Sequence, residues 1–402
     1  MTHRKYLFLT MLLLMTTSPC LNAQKKEIAQ ARAYIKSGKN LDKAEESMRK
    51  LLTDSSNAGN VKIYMTLAES VKKQYEQINE KLYLRQPYDT AAFFNTAGRM
   101  FAAFEKLDSV LVKHGRKRDL AGKTRSKNAE YLKAYRANLY NGGVYFLRNN
   151  DFSKAFQMFQ KYLDCRTQPL FASSGLDSTD VLVPMAASRA LYCGYRLHDT
   201  SIVLRCRNLA MKDTLMLERT LQYLSETYSF MGDTAEYVAT LHNGIDRFPQ
   251  SDYFFTHLMD YYSSISDYDT ALRIADDAIA NDSCGLLYLY AKSNIMLNIG
   301  EYEDCIRLCD RIISINDSLP EAYYNAGISC LKIALSMEKG RVGKKKKQRI
   351  REWYSRSLSY MEKYRAMCPE DKDNWAAALY NIYLNLNMGK EFEEINALLR
   401  KP

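Results

Sequence analysis

The chain has 402 residues, 47% of them hydrophobic and 26% charged, with a formal net charge of +11. That size lies far above the small exported scaffolds that need disulfide stapling. With only 8 Pro and 17 Gly, but 30 Tyr against 2 Trp, the composition fits long helices joined by short turns.

The first 23 residues read as a targeting segment. Arg4 and Lys5 precede the apolar run Tyr6 to Met15, which is too short to span a bilayer, and Leu21-Asn22-Ala23 leads into Gln24. A secretory leader cleaved after Ala23 is the reading this order supports. Lipid attachment at Cys20, preceded by an unfavourable Thr17-Ser18-Pro19, and a retained anchor are the alternatives. Loss of Arg4 and Lys5 lowers the formal charge from +11 to +9. No later stretch is apolar enough to cross a membrane, so the mature chain is expected to be soluble, in the periplasm or associated with the cell envelope.

Residues 24–135 are less regular than the rest. Ile28 to Lys36 and Leu41 to Leu52 make one helix pair, with Gly38 between them. Val61 to Leu84 and Thr90 to Lys113 make a longer pair carrying Phe93, Phe94, Met100, Phe101, Phe104 and Leu107. These are read as a divergent start of the architecture that follows, a separate helical domain being the alternative. The segment Lys113 to Lys127 holds seven basic residues against Asp119 and is read as a solvated loop or a contact for an acidic surface.

From residue 136 onward a mark recurs every 34 residues: Asp199-Thr200, Asp233-Thr234, Asp267-Tyr268 and Glu301-Tyr302. Each pair sits at a turn between amphipathic stretches, and a fixed period of this length means stacked helix-turn-helix units. In Asp252 to Gly285, Tyr268 opens a second helix whose close-packed face is Ala271, Ala275 and Ala278. The next unit repeats this with Gly300 in the turn and Cys305, Cys309 and Ile312 inside. Gly143, Ser225, Ser293 and Gly327 fall where two helices cross closely and bulk is excluded. Two insertions interrupt the period. One lies near 165–183 and contains Phe171; the other, near 338–352, is a basic loop with the run Lys344, Lys345, Lys346 and Lys347, after which Trp353-Tyr354 opens the partner helix.

These spacings, most clearly Asn141-Gly142-Gly143, Phe146, Phe152, Ala155 and Phe159, resemble the tetratricopeptide repeat (TPR) family, well over residues 136–400 and loosely over 25–135. The resemblance implies an all-α superhelical solenoid of about eight or nine helix hairpins. It also implies that first helices line a concave groove for a peptide or protein segment. Carried over by position, the groove residues are Tyr140, Asn141 and Arg148; Tyr192, Tyr195 and Arg196; Arg219, Gln222 and Glu226; Tyr253, His257 and Asp260; and Tyr290, Asn294, Tyr324 and Asn325. The family's carboxylate clamp is not matched: Asn141 and Asn325 fit one element of it, but its basic partners are missing.

Little points to catalysis. The histidines His114, His198, His242 and His257 stand apart, and no zinc-protease, nucleophile-elbow, phosphate-loop or dinucleotide motif occurs. No cofactor or metal is expected, since the eight cysteines after the leader include no C-x-x-C and no accompanying His. They are read as small buried thiols, with Cys330 and either Cys305 or Cys309 the first pair to consider for a bridge. The expected function is therefore a non-enzymatic envelope scaffold that binds a protein or peptide, and not nucleic acid. The alternative is an accessory protein that meets anionic glycan or lipid through its basic loops.

Overall fold

The computed structural model describes residues 23–114, 118–176, 180–339 and 343–400, so all of the leader but Ala23, and Arg116, Lys117 and Arg341, lie outside the described residues. Among those described, every regular element is helical. The chain divides into two compact units, one ending at Met231 and the other opening at Gly232.

In the first unit, α1 (residues 23–37) and α2 (Leu41–Leu51) precede the long pair α3 (Val61–Tyr83) and α4 (Thr90–His114). Then come α5 (Arg118–Tyr135), α6 (Ala137–Arg148), α7 (Phe152–Asp164), α8 (Leu182–Arg196), α9 (Thr200–Ala210) and α10 (Leu217–Met231). Helices α3 and α4, α6 and α7, and α8 and α9 are antiparallel hairpins, and α4 also packs on α6, so chain on both sides of residue 135 shares one core. Helix α5 replaces part of the expected basic loop. Its packed stripe is Arg125, Ala129 and Leu132, with Ala129 and Leu132 buried. Arg125 donates two hydrogen bonds, of 2.8 and 2.7 Å, to the buried carboxylate of Asp108 on α4. The second unit comprises α11 (Thr234–Arg247), α12 (Asp252–Ser264), α13 (Tyr268–Asn281), α14 (Leu286–Ile299) and α15 (Tyr302–Ile315). It continues with α16 (Pro320–Glu338), α17 (Lys344–Met367), α18 (Lys372–Leu386) and α19 (Gly389–Leu399).

The 34-residue mark is a turn with two parts. The acidic residue is the N-cap of the second helix: Asp199, Asp233 and Asp267 accept from the backbone N–H three residues on, at 3.2 Å in each case. One helix pair earlier, Asp151 does the same to Lys154 at 3.0 Å. Such a cap satisfies one of the orphan donors of a helix start and contributes about 1 kcal/mol. The residue before it is left-handed, with φ of 58° at Asn150, 55° at His198, 59° at Ser266 and 88° at Gly300. This conformation lets the cap residue's own N–H reach back five residues, as Asp199 does to Gly194 O and Asp267 to Tyr262 O, both at 2.9 Å. Glu301 makes the same backbone bond, to Met296 O at 2.9 Å, but no side-chain cap.

The crossings are as tight as the small residues imply. A Cβ on Gly143 would lie 2.5 Å from the Phe159 ring, and one on Gly327 would lie 2.5 Å from Met361 Sδ. Ser225 and Ser293 are fully buried. Cys305 and Cys309 line the core of the α14–α15–α16 packing as thiols 4.0 Å apart, and Cys305 Sγ donates to Ser293 O at 3.3 Å.

The insertions behave differently from one another. In the first, the short helical turn Pro169–Phe171 buries Leu170 and Phe171, whose ring stacks 6.2 Å from Phe101. In the second, Lys344 to Lys347 belong to no loop: α17 begins at Lys344 rather than at Trp353. The correction has a physical basis, because Ile350, Tyr354, Ser357, Met361 and Tyr364 form one buried stripe spaced four and three residues apart. That stripe requires helix well before Trp353.

Candidate partner-binding hollows

In the first unit, α8 and α10 bring their half-buried tyrosines together. The Tyr223 ring lies 4.6 Å from Tyr195 and 5.3 Å from Tyr192, and Phe152 meets Tyr192 edge-on at 6.0 Å. Arg196 covers this ridge, with its guanidinium 4.4 Å from the Phe152 ring centre and a 2.7 Å hydrogen bond to Tyr192 Oη. Tyr195 donates to Glu226, and that bond to a carboxylate is the main reason the Tyr195 hydroxyl is pushed up to about 12. Beside the ridge is a hollow of about 200 Å³, lined by Tyr195, Glu226 and Thr227 and rimmed by Phe230, whose side chain is 76% exposed. The Tyr192 and Tyr195 hydroxyls are tied to internal partners, so these two residues offer ring area more than hydrogen bonds.

In the second unit, a hollow of about 430 Å³ lies between α12 and α14. Phe255, Met259, Leu287 and Ile295 supply apolar wall, while Thr256, Asp260, Tyr290, Asn294 and Asn298 supply polar groups. Asn325 stands behind it: its Nδ2 donates to Asn294 Oδ1 at 2.9 Å and to Ser293 Oγ at 3.0 Å. With its oxygen occupied from behind, Asn294 has an NH2 left to offer. His257 packs on its own helix, stacked 4.1 Å from Tyr253 with Nδ1 2.9 Å from the Tyr253 carbonyl. His242 Nε2 meets Tyr262 Oη at 2.8 Å.

The structure thus brings Tyr195 and Glu226 to one hollow, and Asp260, Tyr290 and Asn294 to another, with Tyr192 and Arg196 on the adjoining ridge. Three sequence-based assignments are corrected. Tyr140 is buried, its ring 5.8 Å from both Phe159 and Tyr162. Gln222 is buried and accepts from Arg219 at 3.0 Å. Asn325 is 2% exposed and serves as the support described above. Tyr324 is half-buried against Tyr364, with rings 5.2 Å apart, while Asn141 and Arg148 are exposed on α6 and line neither hollow. Sequence reading missed Tyr223, Phe230 and Leu287. Phe230 was the most accessible signal, because an aromatic residue one position before the end of a helix has little left to pack on.

No family model matches the chain, and no curated protein does. It is similar to several solved structures at low identity. The C-terminal part of a TPR repeat-containing protein from Cytophaga hutchinsonii is 12% identical, covers 64% of this chain and 98% of its own, with a TM-score of 0.39. PilW, a widely conserved type IV pilus biogenesis factor, is 12% identical over 55% of this chain and 94% of its own, with a TM-score of 0.38. MamA from Desulfovibrio magneticus RS-1 is 14% identical over 46% and 95%, with a TM-score of 0.36. No helix among the described residues is long and apolar enough to cross a membrane. Helix pairs at a 34-residue interval, acidic N-caps opening the second helices and bulk-free crossings give the described residues an all-α fold of helix hairpins similar to those of tetratricopeptide-repeat proteins.

Proposed function

We propose that the chain is a non-enzymatic scaffold of the cell envelope that holds an extended segment of a protein partner. The supporting observation is the hollow between α12 and α14, where Asp260, Tyr290 and Asn294 from successive first helices meet an apolar wall. An extended peptide carries unpaired backbone N–H and C=O groups as well as side chains. Amide, hydroxyl and carboxylate groups interleaved with Leu287, Met259 and Phe255 suit both. The pre-set Asn294 amide lowers the ordering cost of such contacts. Export rests on the leader, and Edman sequencing of the secreted chain is expected to begin at Gln24.

Photocrosslinking in living cells tests the groove. A photoreactive residue at Leu287 is expected to give discrete adducts that disappear on Tyr290→Ala or Asn294→Ala, while both variants still unfold in one cooperative transition above the growth temperature. The same residue at exposed Glu303 on α15 is expected to give none of them. Adducts that survive both substitutions, or that form equally from Glu303, would overturn the assignment.

A further inference from the structure

We propose that a second site, at the start of α17, binds a ligand bearing two or more phosphate groups. The end of α16, the first turns of α17 and the end of α18 border an open hollow of about 620 Å³. Lys344, Lys347 and Arg351 line it, and their spacing of three and four residues places all three charges on one face of α17. None has a carboxylate partner among the described residues, and all three are exposed. The floor is apolar and fixed: Ile350 and Tyr354 are buried, and Asn385 and Asn387 close the far wall. Glu338 is the one carboxylate in the lining, and it accepts a 2.8 Å hydrogen bond from Tyr354 Oη.

Three like charges held together repel each other, and an anion in the hollow removes that cost. The first turn of α17 contains no acidic residue and has no side-chain cap, so the helix start adds to the positive field rather than offsetting it. Arg351 brings a planar fork that matches phosphate oxygens in pairs, while the two lysines act as mobile point charges. Three unpaired cations exceed the roughly −1.5 to −2 charge of one phosphate group at neutral pH, which is why the ligand is assigned more than one phosphate. This site is independent of the hollow between α12 and α14.

The test is calorimetric titration of the exported chain with inorganic pyrophosphate at low salt, alongside sedimentation with phosphatidylcholine vesicles containing cardiolipin, whose headgroup carries two phosphates. The first probe reports free phosphate and the second a lipid headgroup. Substituting Lys344→Gln, Lys347→Gln and Arg351→Gln together is expected to weaken binding of the responding probe at least tenfold. A control set of equal charge change outside the hollow, Lys345→Gln, Arg349→Gln and Lys363→Gln, is expected to weaken it less than threefold. If the first set melts early, Arg351→Gln alone replaces it, with at least a threefold loss expected. Equal weakening by both sets would mean diffuse attraction and would overturn the site, as would the failure of both probes to bind.

Discussion

The two insertions interrupt the same 34-residue rhythm and end in opposite states. The first is drawn into the protein. Leu170 and Phe171 are buried, Asp180 accepts from Tyr162 Oη at 2.6 Å, and the Arg136 guanidinium lies on the Tyr162 ring at 3.8 Å while pairing with Asp180 and donating to Tyr162 O at 3.0 Å. The second grows outward as an early start to α17, anchored by Ile350 and otherwise solvated and basic. An insertion's length does not decide its role. What decides is whether it carries large apolar side chains that find a gap in the neighbouring helices, as Phe171 does against Phe101. The first insertion therefore contributes to stability, and the second is left available for contact.

Four experiments can break or sharpen that contrast. The largest effect is expected from Arg136→Ala. It removes a buried guanidinium, takes the cation from the half-buried Asp180 and leaves the Tyr162 carbonyl without its donor, which is expected to cost about 3 kcal/mol in denaturant unfolding. A loss below about 1 kcal/mol would mean that the first insertion is not fastened through this residue. In the second region, Ile350→Ala is expected to cost about 2 kcal/mol, because Ile350 is the first buried position of α17. No loss there would mean that the lysine-bearing turns are not docked by it.

The third experiment is a pH scan on the first region. Glu105 lines a hollow with Gln168, Pro169 and Leu170, and its Oε1 is buried without a partner. Burial pushes its carboxyl from 4.5 to about 7, with Lys161 opposing and Asp164 adding to the rise. A raised folded-state pKa means the folded chain holds the proton more tightly than the unfolded one. The stabilisation is then complete below about pH 4.5 and is lost as pH climbs through about 7. Stability is expected to fall by roughly 1–3 kcal/mol across that window, and Glu105→Gln to flatten the profile. The smallest effect is expected from Lys345→Gln with Lys347→Gln: under about 0.5 kcal/mol by thermal unfolding, since both side chains are exposed and unpaired. A larger change would show that the basic turns are part of the fold.

The sequence revealed most where local chemistry determines the backbone. Asp199, Asp233 and Asp267 were visible because capping needs an acidic or small polar group at one position, and the small crossing residues because bulk cannot fit there. It revealed less where a charged residue takes a core role. The stripe of α5 opens with Arg125, which reads as a surface base until Asp108 on another helix comes into view. The lysines ahead of Ile350 masked a helix start in the same way. The groove was legible at the level of helices and only partly at the level of residues. Tyr140, Gln222 and Asn325 sit on the right helices, but a rotation of one position along a helix is set by the neighbouring helix, and a single sequence does not show it.

The left-handed residue followed by an acidic cap also bears on the order of folding. All the groups that define this turn lie within about eight consecutive residues, and the closest packing in each unit joins helices adjacent in the chain, such as α6 with α7 and α16 with α17. Short loops close quickly and at small entropic cost. Each hairpin can therefore form as soon as its second helix has been synthesised, and dock later against the pair before it.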